Sequence, residues 1–199
     1  MADDHYFTAR PASKSRQRQL KITLAGRAVT VSTAPGVFSG DRLDLGTAVL
    51  LDKVPPLPPS GVFLDVGCGW GPISLTMAML APDAQVWAVD SNERALALTA
   101  QNAAHLGLRN IKTALQDAVP PGLRFDIIWS NPPIRIGKPE LHALLRLWLG
   151  RLADDGGAWL VVQRNLGADS LQGWLQTEFP GREVARVASA KGYRVLAVH

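Results

Sequence analysis

The sequence has little of what holds small secreted or membrane proteins together. It contains one cysteine, Cys68, so one chain has no disulfide framework and no cysteine-based zinc site is expected. Its four histidines show no ligand spacing, and no metal is expected. No apolar run approaches the roughly 18 residues of a membrane span. The opening Met1-Ala2-Asp3-Asp4-His5 is acidic and lacks the apolar core of a secretion signal, so the expected location is the cytoplasm. Charged residues make up 19% of the chain, but the hydrophobic share of 47% excludes a disordered one. There is no internal repeat and no low-complexity tract. What remains is a chain of 199 residues, enough for one domain with its own core and a short extension.

The net charge of +4 is unevenly spread. Arg10, Lys14, Arg16, Arg18, Lys21 and Arg27 lie close together with no acid among them. Such a cluster can steer a polyanion and contact its phosphates, or can simply be a solvated face. The clearest punctuation is Pro55-Pro56-Leu57-Pro58-Pro59-Ser60-Gly61, which neither continues a helix nor pairs inside a sheet. It reads as a rigid linker between an extension, residues 1–60, and a main fold, residues 61–199. Ahead of it, residues 20–24 and 27–33 read as strands of a hairpin, and 46–54 as a short helix. After it, strands at 62–64, 85–89, 111–115, 125–129 and 158–163 alternate with helices at 72–80, 91–106, 139–152 and 170–178. Such alternation implies a parallel sheet covered on both faces. The last strands, 183–188 and 193–198, have no helix between them and must pair antiparallel.

Two stretches carry chemistry. Asp65-Val66-Gly67-Cys68-Gly69-Trp70-Gly71-Pro72 runs from the first main strand into a helix. Its glycines let the backbone turn sharply and approach a ligand, and the helix start offers free N–H groups. Pro72 stands where a pyrophosphate loop would place its third glycine, and Asp65 suits a ligand with a cationic amino-acid end. Asp90, at the end of the next strand, suits the two hydroxyls of a ribose; Ser91-Asn92-Glu93 beside it also reads as a helix cap. Cys68 reads as a small packed residue of the loop. The second stretch is Asp126-Ile127-Ile128-Trp129-Ser130-Asn131-Pro132-Pro133-Ile134. Two prolines fix the carbonyls around them, and Asn131 adds a side-chain carbonyl. Rigid acceptors at the carboxyl end of a parallel sheet suit a planar NH2 group, whose N–H bonds they hold while its lone pair faces an electrophile.

Together these residues resemble a class I S-adenosylmethionine-dependent methyltransferase acting on an exocyclic amine. Gly36-Val37-Phe38-Ser39, Leu43-Asp44-Leu45-Gly46-Thr47 and the closing Lys191-Gly192-Tyr193-Arg194-Val195 are similar to small-subunit rRNA guanine-N2 methyltransferases, of whose better-known bacterial members this sequence matches the catalytic half. The resemblance implies a Rossmann-like α/β fold. Its mostly parallel seven-stranded sheet carries an antiparallel C-terminal strand and is preceded by a β-hairpin and helix. The resemblance also implies S-adenosyl-L-methionine as cofactor, held by Asp65, Gly67, Cys68, Gly69, Gly71, Asp90, Asn92, Asp117, Ala118 and Asn131, with Asp117 at the adenine amino group. Asn131, Pro132, Pro133 and Ile134 become the catalytic turn, and ribosomal RNA or the small ribosomal subunit the partner.

A base reaching such a pocket must leave its stack. Tyr6, Phe7, Phe38 and Trp70 are the aromatics available to stack on it, and Arg16, Arg18, Arg135 and Lys138 are cations available for phosphates. Two alternatives stay open: another planar amine, adenine N6 or protein glutamine, and an RNA-binding module that keeps the fold without turnover. Ile134 stands against the first, since those groups favour an aromatic after Asn-Pro-Pro. The intact glycine loop and Asn131 stand against the second.

Overall fold

The computed structural model describes residues 17–199. Tyr6, Phe7 and Arg16, and with them Arg10 and Lys14, lie outside the described residues. Strands β1 (Arg18–Leu24) and β2 (Arg27–Thr33) form an antiparallel hairpin of their own. Its two-residue turn, Ala25-Gly26, has both φ values positive, the conformation whose twist matches that of paired strands. Helix α1 (Leu45–Lys53) follows, with the Asp44 side chain accepting from the Thr47 N–H at 2.9 Å as its N-cap.

The main sheet has seven strands in the order β5-β4-β3-β6-β7-β9-β8. Strands β3 (Ser60–Val66), β4 (Asp83–Val89), β5 (Ile111–Ala114), β6 (Phe125–Ser130) and β7 (Leu152–Gln163) are parallel neighbours. Strand β9 (Tyr193–Val198) inserts antiparallel between β7 and β8 (Val184–Ala190), so it alone runs against the rest. The Lys191-Gly192 turn joining β8 to β9 again has two positive φ values. This is the Rossmann-like arrangement expected from the sequence, hairpin and helix included. Helices α2 (Pro72–Leu80), α3 (Glu93–His105), α4 (Lys138–Leu149) and α5 (Ala168–Glu178) cross between strands and cover both faces. The carboxyl-terminal halves of the central strands are therefore buried on both sides and mostly apolar.

Two boundaries differ from the sequence reading by three residues or more. The helix expected over 139–152 ends at Leu149. At Gly150 the chain turns so tightly that a Cβ would sit 2.7 Å from the Arg146 carbonyl oxygen, and Leu152 already pairs with Phe125 of β6. Strand β7 thus starts six residues before the expected 158 and carries Asp154-Asp155-Gly156 through a register shift, where Arg182 donates to the Ala153 and Asp154 carbonyls.

The chain ahead of the prolines shares its core with the chain after them. Val49 and Leu50 of α1 pack with Phe63, Ile73 and Met77, while Leu24 and Val31 of the hairpin pack with Trp70, Leu75 and Leu98. Asn102 of α3 ties the hairpin down. It accepts from the Ser32 N–H at 2.7 Å and donates to the carbonyls of Ser32 and Trp70. Prolines 55–59 form the irregular segment between α1 and β3, with Leu57 packed on the core.

Candidate active site

The site forms at the carboxyl ends of β3, β4 and β6. Gly67, Gly69 and Gly71 all have left-handed φ values, of 78°, 59° and 97°. At Gly71 the reason is a close approach: a Cβ would meet the Thr99 side chain at 3.0 Å, where α2 starts against α3. At Gly67 it is the opposite, because a Cβ would project into open space. The loop is pinned from below. Gly67 and Cys68 donate their N–H groups to the Val89 carbonyl, Gly69 donates to Asp90 Oδ2 at 3.0 Å, and Thr99 Oγ1 donates to the Gly69 carbonyl at 3.1 Å.

Three cavities ring these strand ends and share walls. A cleft of about 540 Å³ runs from Gly67, Asp90 and Ser91 past Gln116 and Pro133 to Ala143, Leu144, Leu147 and Trp148 of α4. A narrow gap beside it is bounded by Gly67, Gly69, Trp70, Asp44, Thr47 and Asn131. Beyond Asn131 lies a cavity of about 380 Å³, lined by Phe38, Asp44, Pro132, Pro133, Ile134, Arg135, Gln163, Leu166 and Tyr193.

Asn131 stands between the last two. Its Nδ2 donates to Asp44 Oδ2 at 2.7 Å and to Thr47 Oγ1 at 3.0 Å. Pro133, with φ −74° and ψ 78°, makes an inverse γ-turn in which the Ile134 N–H donates to the Pro132 carbonyl at 2.8 Å. That carbonyl keeps its second lone pair.

The carboxylates sit in contrasting surroundings. Asp65 is fully buried beneath the loop; its Oδ2 accepts from the backbone N–H and hydroxyl of Ser74, and its Oδ1 has no partner among the described residues. Burial raises its pKa to about 7, partly opposed by the Ser74 hydrogen bonds, and the charge of Asp90 adds to the rise. Asp90 is also raised by burial, against backbone N–H groups that hold it down. Burial, then the charges of Asp90 and Asp65, push the Cys68 thiol well above its ordinary range, which fits the packed loop residue the sequence suggested.

The remaining expected site residues fall in three groups. Phe38, 43% exposed, stands at the mouth of the 380 Å³ cavity with Ile134 and Arg135. Asn92 is buried as the α3 cap, accepting from the Arg94 N–H and donating to the Gly36 carbonyl. Trp70 is 1% exposed and donates Nε1–H to the Ser39 carbonyl, so packing and not stacking on a base is its role. Asp117 and Ala118 are exposed in a short 3₁₀ turn, where their neighbour Gln116 lines the cleft. Lys138 is exposed at the start of α4, and Arg18 is exposed where β1 begins. Gln163, Leu166 and the wall from α4 carried no signal in the sequence, and Tyr193 only that of the closing segment 191–195. The α4 wall appeared in the sequence only as part of a helix.

The fit to the expected cofactor is direct. The open face of Gly67 and the unpartnered buried Asp65 Oδ1 lie where a glycine loop meets an amino-acid end, and the Asp90 carboxylate stands at the rim of an apolar cleft wide enough for a nucleoside. Fold and loop together define a class I methyltransferase whose cofactor is S-adenosylmethionine. The chain belongs to the methyltransferase small domain family, whose profile matches residues 28–197. Over 196 residues it is 35% identical to the uncharacterized protein YbxB of Bacillus subtilis (strain 168), covering 97% of this chain and 96% of that one. It is 38% identical over 136 residues to ribosomal RNA small subunit methyltransferase C of Pseudomonas entomophila (strain L48), covering 67% of this chain but 40% of the relative. Among solved structures, the T. thermophilus 16S rRNA N2 G1207 methyltransferase in complex with AdoMet and guanosine shares the fold, with a TM-score of 0.78 and 24% identity over 96% of this chain and 52% of that one. Among the described residues no helix is long and apolar enough to cross a membrane, and no group of three or more His, Cys, Asp or Glu is placed to hold a metal.

Proposed function

We propose that this chain methylates the exocyclic N2 amine of a guanine in small-subunit ribosomal RNA. The observation that carries the reading is Asn131. Both N–H bonds of its amide are directed at Asp44 and Thr47, and its Oδ1 accepts no hydrogen bond among the described residues. That oxygen belongs to the residue dividing the glycine-loop gap from the 380 Å³ cavity.

When bound, S-adenosylmethionine supplies a methyl group on a sulfonium, an electrophile that needs no further activation. The work left to the chain is positioning. Asn131 Oδ1 and the Pro132 carbonyl accept the two N–H bonds of a planar amine and aim its lone pair out of the ring plane. Both bonds strengthen as positive charge develops on nitrogen, so they favour the transition state over the ground state. The proton becomes acidic as that charge forms and passes to water, so the chain needs no strong general base. Phe38 offers a flat face to a base entering the cavity. Arg135 at the cavity and Lys138 at the start of α4 reach for phosphates, and residues 1–60, with their basic cluster, face the RNA while 61–199 hold the cofactor.

The choice of guanine N2 in small-subunit RNA is supported by the segment around Asp44, by Ile134 in place of an aromatic, and by the likeness to ribosomal RNA small subunit methyltransferase C and to the T. thermophilus 16S rRNA N2 G1207 methyltransferase. Such a substrate places the protein in the cytoplasm. The test is transfer of labelled methyl to small-subunit particles from cells lacking this protein, followed by nucleoside mass spectrometry. The expected product is N2-methylguanosine. Label in N6-methyladenosine or in protein would replace the acceptor while keeping the cofactor, and cofactor binding without transfer to any particle would favour a binding module.

A further inference from the structure

We infer that Asp44 and Thr47 are positioning residues that fix which way round the Asn131 amide stands. The inference deepens the reading above and rests on it for its kinetic test. An asparagine side chain can present either its oxygen or its NH2 to a ligand, and the two orientations have nearly the same shape. An NH2 turned towards the acceptor would meet the substrate's own N–H bonds and repel them. Here the second orientation is blocked. Asp44 Oδ2, 2.7 Å from Nδ2, and Thr47 Oγ1, 3.0 Å away, both accept, so swapping the amide would set its oxygen against a carboxylate. A charged acceptor on the NH2 also polarises the amide and makes Oδ1 a better acceptor.

The two partners are themselves held. Asp44 is the N-cap of α1 and bonds the Thr47 N–H at 2.9 Å, so one helical turn sets their spacing. Gly46 lies between them because a Cβ there would come within 2.8 Å of the Tyr193 ring. Asp44 and Tyr193 line the same cavity, and burial and then the charge of Asp44 raise the pKa of the tyrosine. The segment before the prolines and the turn after β6 thus meet at one amide, with Tyr193 of β9 packed against Gly46 behind them, and the helix ahead of the main fold becomes part of the reaction's geometry.

Three substitutions separate this role from structure. Asp44→Ser keeps an oxygen able to cap α1 but too short to reach Asn131; Thr47→Val keeps shape and loses the acceptor; Asp44→Asn keeps an oxygen at the same reach. The first two are expected to lower kcat by about 10- to 100-fold with the dissociation constant for S-adenosylmethionine unchanged, and Asp44→Asn to retain most of the rate. In an Asn131→Ala background, Asp44→Ser should cost less than about twofold more, because a positioning residue has nothing left to position. A fully additive loss, or parental turnover in both Asp44→Ser and Thr47→Val, overturns the inference. A second readout is independent of turnover: the side-chain amide protons of Asn131, followed by NMR in the cofactor-free protein, should be protected and well separated, and should collapse towards solvent values in Asp44→Ser and Thr47→Val. Unchanged resonances also overturn it. Parental turnover in Asn131→Ala itself would instead sink the acceptor reading, and the amide resonances would still decide whether the clamp exists.

Discussion

The cleft under α4 and the cavity beyond Asn131 share a wall at Pro133 but are assembled differently. The cleft begins in consecutive β–α units, from β3 through the turn after β5, where the backbone of the glycine loop at Gly67 lies beside Asp90. The cavity takes its walls from four separate places: Phe38 and Asp44, the turn at 131–135, Gln163 with Leu166, and Tyr193. A binding surface made of backbone tolerates change in the rest of the chain. One made of side chains from distant segments lets the same cofactor platform serve different acceptors, because each segment can vary alone.

The sharpest way to break that contrast is a mirrored pair of substitutions. Asn131→Ala should cut kcat by about 100- to 1,000-fold and leave the calorimetric affinity for S-adenosylmethionine within about twofold. Gly67→Val, which fills the open face of the loop at a φ of 78°, should instead weaken the cofactor by at least about tenfold while saturated turnover falls little. Equal losses on both measures in either variant would mean that the two sides are not separable.

A second prediction concerns the charge stored beneath the loop. The folded Asp65 carboxyl titrates near 7, above the 3.8 of an ordinary aspartate. The folded state therefore binds more protons than the unfolded one between these values, and stability falls as pH rises through that window. Asp65→Asn removes the dependence. Relative to the parent, its unfolding free energy should rise between pH 4 and pH 8 by something on the order of 3 kcal/mol, read from denaturant melts at each pH. An unchanged difference between parent and variant across that range would show that the loop side carries no such strain.

The smallest effect belongs to the cations after the Asn-Pro-Pro turn. Arg135→Ala and Lys138→Ala should each raise KM for ribosomal particles a few-fold and reduce the salt dependence of binding by about one phosphate contact, with cofactor affinity untouched. A salt slope unchanged in both would remove them from the RNA footprint.

How much of this was legible follows the same division. The loop could be read because its requirement is local: three residues with positive φ, followed by a proline suited to a helix start, leave a pattern within eight positions. Asn131 could be read because two prolines stiffen the turn that presents it. Gln163 and Leu166 could not, since nothing in residues near them marks a cavity, and Tyr193 showed only as part of a closing segment shared with the family. The burial of Trp70 also escaped, because an aromatic in a loop reads alike whether it stacks on a ligand or anchors the loop to Ser39.

The sequence by itself determined the order of strands and helices, the sharp turn above β3 and the rigid acceptors after β6, because each depends on interactions within a few residues along the chain. Only the tertiary structure decided which groups orient the Asn131 amide and what surrounds a base placed against it. Those partners lie 87 and 84 residues away in the chain, and their meeting is fixed by how α1 packs on the sheet, which no local pattern encodes.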